Sequence, residues 1–281
     1  MSEPAPPMPP SFFDAYTPDQ IALRVEKVGI LKAVTGAPAL LALAVLAGAF
    51  IALGAMFSTL AITGSGLGFG PTRVLGGVAF SLGLVLVVVG GAELFTGNVL
   101  MVMGWADGRV TTRALLRNWG LVYAGNFVGA GAMALLAHEA GVFALDSGNV
   151  GAMARTLAEA KAALPFWSAF WKGVLCNILV CLAIWLCFAA HAVVDKIFAI
   201  VWPISAFVAL GFEHSIANMY IIPAGALAGG LEDGLLRGLV ANLVPVTLGN
   251  VVGGGVFVAA TYYVVYLRGR RRDSRVKELE R

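Results

Sequence analysis

Glu93, Glu213 and His214 are ionisable residues set in stretches that otherwise read as lipid-soluble: Glu93 in VLVVVGGAELFTGNVLMVMGW, and Glu213 and His214 in FVALGFEHSIANMYIIPAG. A charge near a bilayer centre costs a few kcal/mol or more, so residues of this kind pair with something or line a polar pathway. His214 adds the one side chain that changes charge near neutral pH without help. Neighbours on a helix point about 100° apart, so Glu213 and His214 are poorly placed to bind one metal together. Cys176, Cys181 and Cys187 share one apolar run with no CxxC pair, and read as buried thiols. No metal, cofactor or enzymatic constellation is expected. The bland reading of the two acids is structural, each accepting backbone N–H bonds at an interrupted helix. His138 and His191, near helix ends, read as interfacial.

The elements that carry these residues must be membrane spans. Of 281 residues, 59% are hydrophobic and only 12% charged, with a mean hydropathy of +0.86, and a soluble domain would not dissolve with that balance. A span needs about 20 apolar residues, and the windows are 36–62, 75–104, 114–138, 166–191, 196–229 and 236–267. The second and fifth are interrupted, at Gly91 and at Gly211, and hold the acids. An unwound turn is tolerated at membrane depth only where it lines a cavity. Phe95-Thr96-Gly97-Asn98 and His214 to Asn218 could each open a half-helix whose free N–H groups face an anion.

Three regions follow: a cytoplasmic segment at 1–34 with an amphipathic helix, a transmembrane domain at 35–267, and a basic tail at 268–281. The first 34 residues lack the pattern of a cleaved signal peptide. Thr17, Pro18 and Gln20 predict a helix start, with Ile21, Val25 and Val28 on one face. With both termini inside, fourteen of the nineteen Lys and Arg residues fall on the cytoplasmic side, which is the bias that sets topology. The net charge of +3 is thus a topology signal, with no nucleic acid implied. GSGLGFG at 64–70 reads as a loop between spans. Glycines such as Gly48, Gly129 and Gly253 read as close helix contacts.

The chain is internally duplicated. NWGLVYAGNFVGAG from Asn118 matches NLVPVTLGNVVGGG from Asn242, and each follows a Gly-x-Glu, Gly91-Ala92-Glu93 or Gly211-Phe212-Glu213. A repeat of three spans is odd-numbered, so its second copy enters the membrane from the opposite side, giving an inverted repeat with a substrate site near the midplane.

Three motifs in order, Gly90 to Gly97 (GGAELFTG), Cys176 to Ala183 (CNILVCLA) and Gly211 to Met219 (GFEHSIANM), strongly resemble the signatures of the formate/nitrite transporter family, and the resemblance runs from about Tyr16 to Leu267. It implies an all-α, aquaporin-like protomer of six helices in a 3+3 inverted repeat, with the second and fifth broken, assembled as a homopentamer in the bacterial inner membrane. It further implies passage of small monovalent anions: formate, nitrite or hydrosulfide. By this resemblance Thr96, Asn177 and His214 line the pathway with Glu213 and Asn218. Lys161 is the outer vestibule lysine, Phe80, Leu84 and Phe207 form the cytoplasmic constriction, and Leu94 forms the periplasmic one. Glu93 stands where some formate channels have aspartate, and Leu210 where a small polar residue is expected. AYTPDQIALRVEKVG and TYYVVYLR look more like the formate branch. An aquaporin-like channel for neutral solutes is the other class, but the chain has no Asn-Pro-Ala. The expected partners are formate or a similar anion, protons and the lipid bilayer, and the expected mechanism is passage of the anion as its neutral acid, with His214 donating or relaying the proton.

Overall fold

The computed structural model describes residues 15–229 and 233–269. The Pro-rich start and most of the basic tail, from Arg270 onward, lie outside the described residues. Every regular element among the described residues is helical: α1 (Pro18–Val34), α2 (Ala37–Ile62), α3 (Phe69–Gly90), α4 (Phe95–Ala106), α5 (Thr112–Glu139), α6 (Asn149–Ala162), α7 (Phe166–Ala189), α8 (Val193–Ala209), α9 (Ser215–Gly229) and α10 (Asp233–Val252). The last continues through wider π-type turns at Gly253–Ala260 and Tyr263–Leu267. Among the described residues, five helices are long and apolar enough to cross a membrane: Ala37–Ile62, Phe69–Gly90, Thr112–Glu139, Phe166–Ala189 and Arg237–Leu267.

Local chemistry explains the boundaries. At the start of α1 the Thr17 N–H donates to Gln20 Oε1 at 3.0 Å, and Ile21, Ala22, Val25 and Gly29 bury one face. That face lies on α4, and Arg109 Nε, in the loop after α4, meets Glu26 Oε1 at 3.4 Å. Helix α3 begins at Phe69, earlier than the hydropathy window, because Gly68 adopts φ +78° and lets the chain turn straight into it. It stops at Gly90. Gly91 then takes φ +78°, and Gly211, just after α8, takes φ +72°. Both are left-handed conformations in which a Cβ is strained. The segments 91–94 and 211–214 are non-helical, and a new helix opens after each.

Helix α2 packs between α3 and α5, and α7 packs against α10. Gly129 and Gly253 show why small residues sit at these seams. A Cβ on Gly129 would collide with the Val45 carbonyl oxygen, and one on Gly253 with the Val174 carbonyl oxygen. The backbones can approach this closely only because these positions carry no side chain.

Candidate functional site

The site grows out of the two non-helical segments. Each is fastened by the same set of contacts, once per half of the chain. The Glu93 N–H donates to the Leu43 carbonyl at 3.1 Å, and the Glu213 N–H to the Lys172 carbonyl at 3.2 Å. The amide that opens the next helix is taken by an asparagine from a long span: Phe95 N–H by Asn126 Oδ1 at 2.9 Å, Ser215 N–H by Asn250 Oδ1 at 3.0 Å. The other end of each asparagine ties the segment to a neighbouring helix. Asn126 Nδ2 donates to the carbonyls of Ala44 and Glu93, and Asn250 Nδ2 to those of Gly173 and Glu213. Both asparagines are fully buried, so every polar atom on them is used, as a buried polar group requires.

These contacts narrow one expectation and correct another. The first amides of α4 and α9 are not left free for an anion, because Asn126 and Asn250 occupy them. Nor do the side chains of Glu93 and Glu213 cap these helices: each accepts from side chains. Lys32 Nζ lies 2.8 Å from Glu93 Oε2 and 2.8 Å from Asn98 Oδ1. Asn98 Nδ2 donates to Glu93 Oε2 and to Asn118 Oδ1, and Asn118 Nδ2 to the Lys32 carbonyl. In the other half Lys161 Nζ lies 2.9 Å from Glu213 Oε1, Asn218 Nδ2 donates to Glu213 Oε2 and Asn242 Oδ1, and Asn242 Nδ2 to the Lys161 carbonyl. Each acid is held by a cation and an asparagine. The copies differ in detail: the oxygen of Asn98 accepts from Lys32, whereas Asn218 Oδ1 has no hydrogen-bond partner among the described residues, and Asn242 Nδ2 also reaches Glu213 Oε2 at 3.5 Å.

One side-chain contact joins the two broken segments directly. Thr96, at the start of α4, and His214, just before α9, bring Oγ1 and Nε2 to 3.0 Å. They are 0% and 2% exposed. The opposite ring nitrogen, Nδ1, accepts the Ala217 N–H at 3.1 Å. An acceptor at Nδ1 carries no proton, so this geometry holds a neutral ring with its hydrogen on Nε2, aimed at Thr96. Behind Thr96, its carbonyl accepts from Asn177 Nδ2 at 3.2 Å, and Asn177 Nδ2 also meets the Asn250 carbonyl at 2.6 Å. Asn177 Oδ1 is buried without a partner among the described residues. Gly254 makes this possible, since a Cβ there would stand 2.6 Å from both Asn177 Nδ2 and Cys181 Sγ.

A cavity lies on each side of the Thr96–His214 contact. The one beneath α1, about 360 Å³, is lined by Arg24, Lys32, Glu93, Leu94 and Lys196. The one beneath α6, about 220 Å³, is lined by Arg73, Phe80, Lys161, Lys172, Phe207 and His214. Phe80 and Phe207 meet edge to face with centroids 5.5 Å apart, and Phe207 stacks on His214 at 5.9 Å. Phe80 and Phe207 thus share the mouth of Lys161, and Leu94 belongs to the opposite one, which reverses the sides expected from the resemblance. The reason is depth along α3. Phe80 packs beside Gly54, late in α2, whereas Glu93 bonds to Leu43, early in α2. Leu84, one turn beyond Phe80, is buried and faces neither cavity.

Several site residues escaped the sequence. Lys32 reads there only as a topology charge, and Asn118 and Asn242 only as markers of the repeat. The signal was present in that repeat, because a fully buried asparagine at matching positions of two copies implies a matching partner for each. Arg73 is another that the sequence gives only as a topology charge. Its Nε and Nη2 donate to the carbonyls of Ala209 and Val208 at 2.9 and 3.1 Å, a cation closing the C-terminal end of α8.

Comparison with known proteins agrees with this architecture. The formate/nitrite transporter family model matches residues 19–264. The formate channel FocA of Escherichia coli (strain K12) is 39% identical over 274 residues, 91% of this chain and 96% of that protein. A probable formate transporter of Methanothermobacter thermautotrophicus is 40% identical over 245 residues, 80% of this chain and 88% of that one. Among solved structures, a pentameric formate channel with formate bound superposes with a TM-score of 0.75 at 38% identity, covering 83% of this chain and 98% of the other. The chain belongs to the formate/nitrite transporter family.

Proposed function

We propose that this chain is a membrane channel and transporter for small monovalent anions, formate first, with proton coupling. In this reading it has six spans in a 3+3 inverted repeat, the second broken between α3 and α4 and the fifth between α8 and α9. It forms a homopentamer in the bacterial inner membrane with both termini cytoplasmic, so that the cavity beneath α1 is the inner mouth and that beneath α6 the outer one. The relatives named as formate channels support the substrate, and the similar pentameric formate channel supports the assembly. Nitrite and hydrosulfide are the alternative cargoes of the same pathway.

The observation that carries the reading is the buried Thr96–His214 contact at 3.0 Å, with a cationic cavity on each side. Phe80 and Phe207 build the outer neck, Leu94 the inner, and Leu84 the wall between them. A bare charge in such a neck carries a large desolvation cost, which the neutral acid avoids. His214 Nε2–H offers the crossing anion a hydrogen bond, and Thr96 and Asn177 supply the polar lining beside it. Glu213 and Asn218 hold Lys161 at the outer mouth, and the turns at Gly91 and Gly211 with Glu93 hold the two half-helices. Taking a second proton at Nδ1 would displace the Ala217 amide, a hydrogen bond with a net value of about 1 kcal/mol, so the charged ring is a transient of the cycle and the neutral ring its resting form.

Proteoliposome uptake of labelled formate, nitrite and bicarbonate, each with and without an inward proton gradient, tests the reading. Saturable formate uptake that rises with the gradient is the expected result. Nitrite uptake without formate uptake would assign the chain to the other cargo.

A further inference from the structure

The cavity beneath α1 carries more positive charge than its own network uses. Three cations line it, Arg24, Lys32 and Lys196, against one carboxylate, Glu93. Lys32 is committed to Glu93 and Asn98, at 2.8 Å from each. Arg24 and Lys196 are paired with no carboxylate among the described residues. Asp195, next in chain to Lys196, turns its carboxylate to the Ala192 N–H at 3.0 Å.

The structure also fixes where Arg24 stands. The Tyr16 N–H donates to the Ala189 carbonyl at 3.1 Å, and the Tyr16 ring stacks on His191 with centroids 4.3 Å apart. The Arg24 guanidinium lies 3.9 Å above the ring. The chain entering α1 is thus clipped to the end of α7. Arg24 is held by its face, which leaves its edge N–H groups available.

Resting on the proposed anion function, we propose that Arg24 and Lys196 form a separate capture site for a small monocarboxylate in the cavity beneath α1, and so set the affinity for anions entering from that face alone. A guanidinium edge suits a carboxylate in two-point contact, and the ammonium adds a point charge. The cavity lies at the lower end of the size of small-ligand sites. Capture of this kind is weak, as conduction requires of a site that must also release its ion.

The test is one-sided formate titration of the pentamer in planar bilayers, with formate added to one chamber at a time. At 0.1 M salt, Arg24→Gln and Lys196→Gln are each expected to raise the half-saturating formate concentration on the α1 face by about threefold or more, leaving the α6 face unchanged. At 1 M salt, where the screening length falls from about 10 Å to about 3 Å, the difference should shrink. Arg24→Lys and Lys196→Arg should lie between wild type and the neutral variants. An unchanged α1-face value in assembled variants, or an equal change on both faces, would overturn the proposal. So would a wild-type α1-face value insensitive to salt, a readout that needs no variant to fold. If wild type conducts nitrite but no formate, the substrate reading fails, and the same comparison of faces is read with nitrite.

Discussion

Removing Lys161 should cost more than removing its counterpart Lys32, and the difference follows from burial. The Lys161–Glu213 pair has side chains 17% and 4% exposed, against 25% and 12% for Lys32–Glu93. Breaking a buried pair by deleting one partner costs about 3–5 kcal/mol, because the other charge stays behind uncompensated. Glu213 would keep its 2.7 Å bond from Asn218, which places Lys161→Ala at the low end, about 3 kcal/mol. The wetter Lys32 site should cost about 1–2 kcal/mol, since solvent screens an exposed pair. In thermal unfolding of the detergent-solubilised protein, about 3 kcal/mol is a midpoint shift of about 6–12 °C. Lys161→Ala/Glu213→Gln should recover at least about half of the loss, because a neutral amide oxygen still accepts from Asn218 and no charge is stranded. Equal shifts for Lys161→Ala and Lys32→Ala, or a double variant less stable than Lys161→Ala alone, would refute the reasoning.

Gly253→Ala puts a methyl group on the Val174 carbonyl and should destabilise by more than about 2 kcal/mol, a magnitude typical of overpacking, whereas Gly36→Ala, with nothing within 4 Å, should change the unfolding midpoint little. Phe207→Ala removes one half of the edge-to-face pair with Phe80 and should raise passive anion conductance in bilayers. Unchanged conductance in assembled protein would place the neck elsewhere. Thr96→Val keeps the shape but removes the hydroxyl that His214 Nε2 meets, and should lower the formate flux of proteoliposomes more than it lowers the unfolding midpoint.

The apolar runs were legible because a span must satisfy its own backbone, so residues such as those of Ala37–Ile62 announce a helix by length and hydropathy alone. The interruptions were legible because Gly91 and Gly211 stand beside acids that lipid would reject. Which family the chain belongs to was legible in three motifs in order. The partners of Glu93 and Glu213 were not, since Lys32 and Lys161 lie far from them in sequence and approach only when α1 and α6 fold back over the two mouths. The side on which Phe80 and Phe207 lie was misjudged for a related reason: periodicity gives the one-turn spacing of Phe80 and Leu84 but not the depth at which α3 breaks. Nor could the sequence reveal that Asn126 and Asn250 take the first amide of each half-helix.

The central claim is that the ring of His214 couples anion passage to protons. Accumulation of labelled formate in proteoliposomes under an inward proton gradient, compared between wild type and His214→Asn, tests it most directly. Asparagine is small and polar and can still accept the Ala217 amide, so the assembled protein should survive, which gel filtration would verify. With the ring gone, gradient-driven accumulation is expected to be abolished while passive, pH-independent formate flux persists or increases. Accumulation at the wild-type level in well-assembled His214→Asn protein would contradict the claim and leave His214 as a hydrogen-bonding residue of the pore wall.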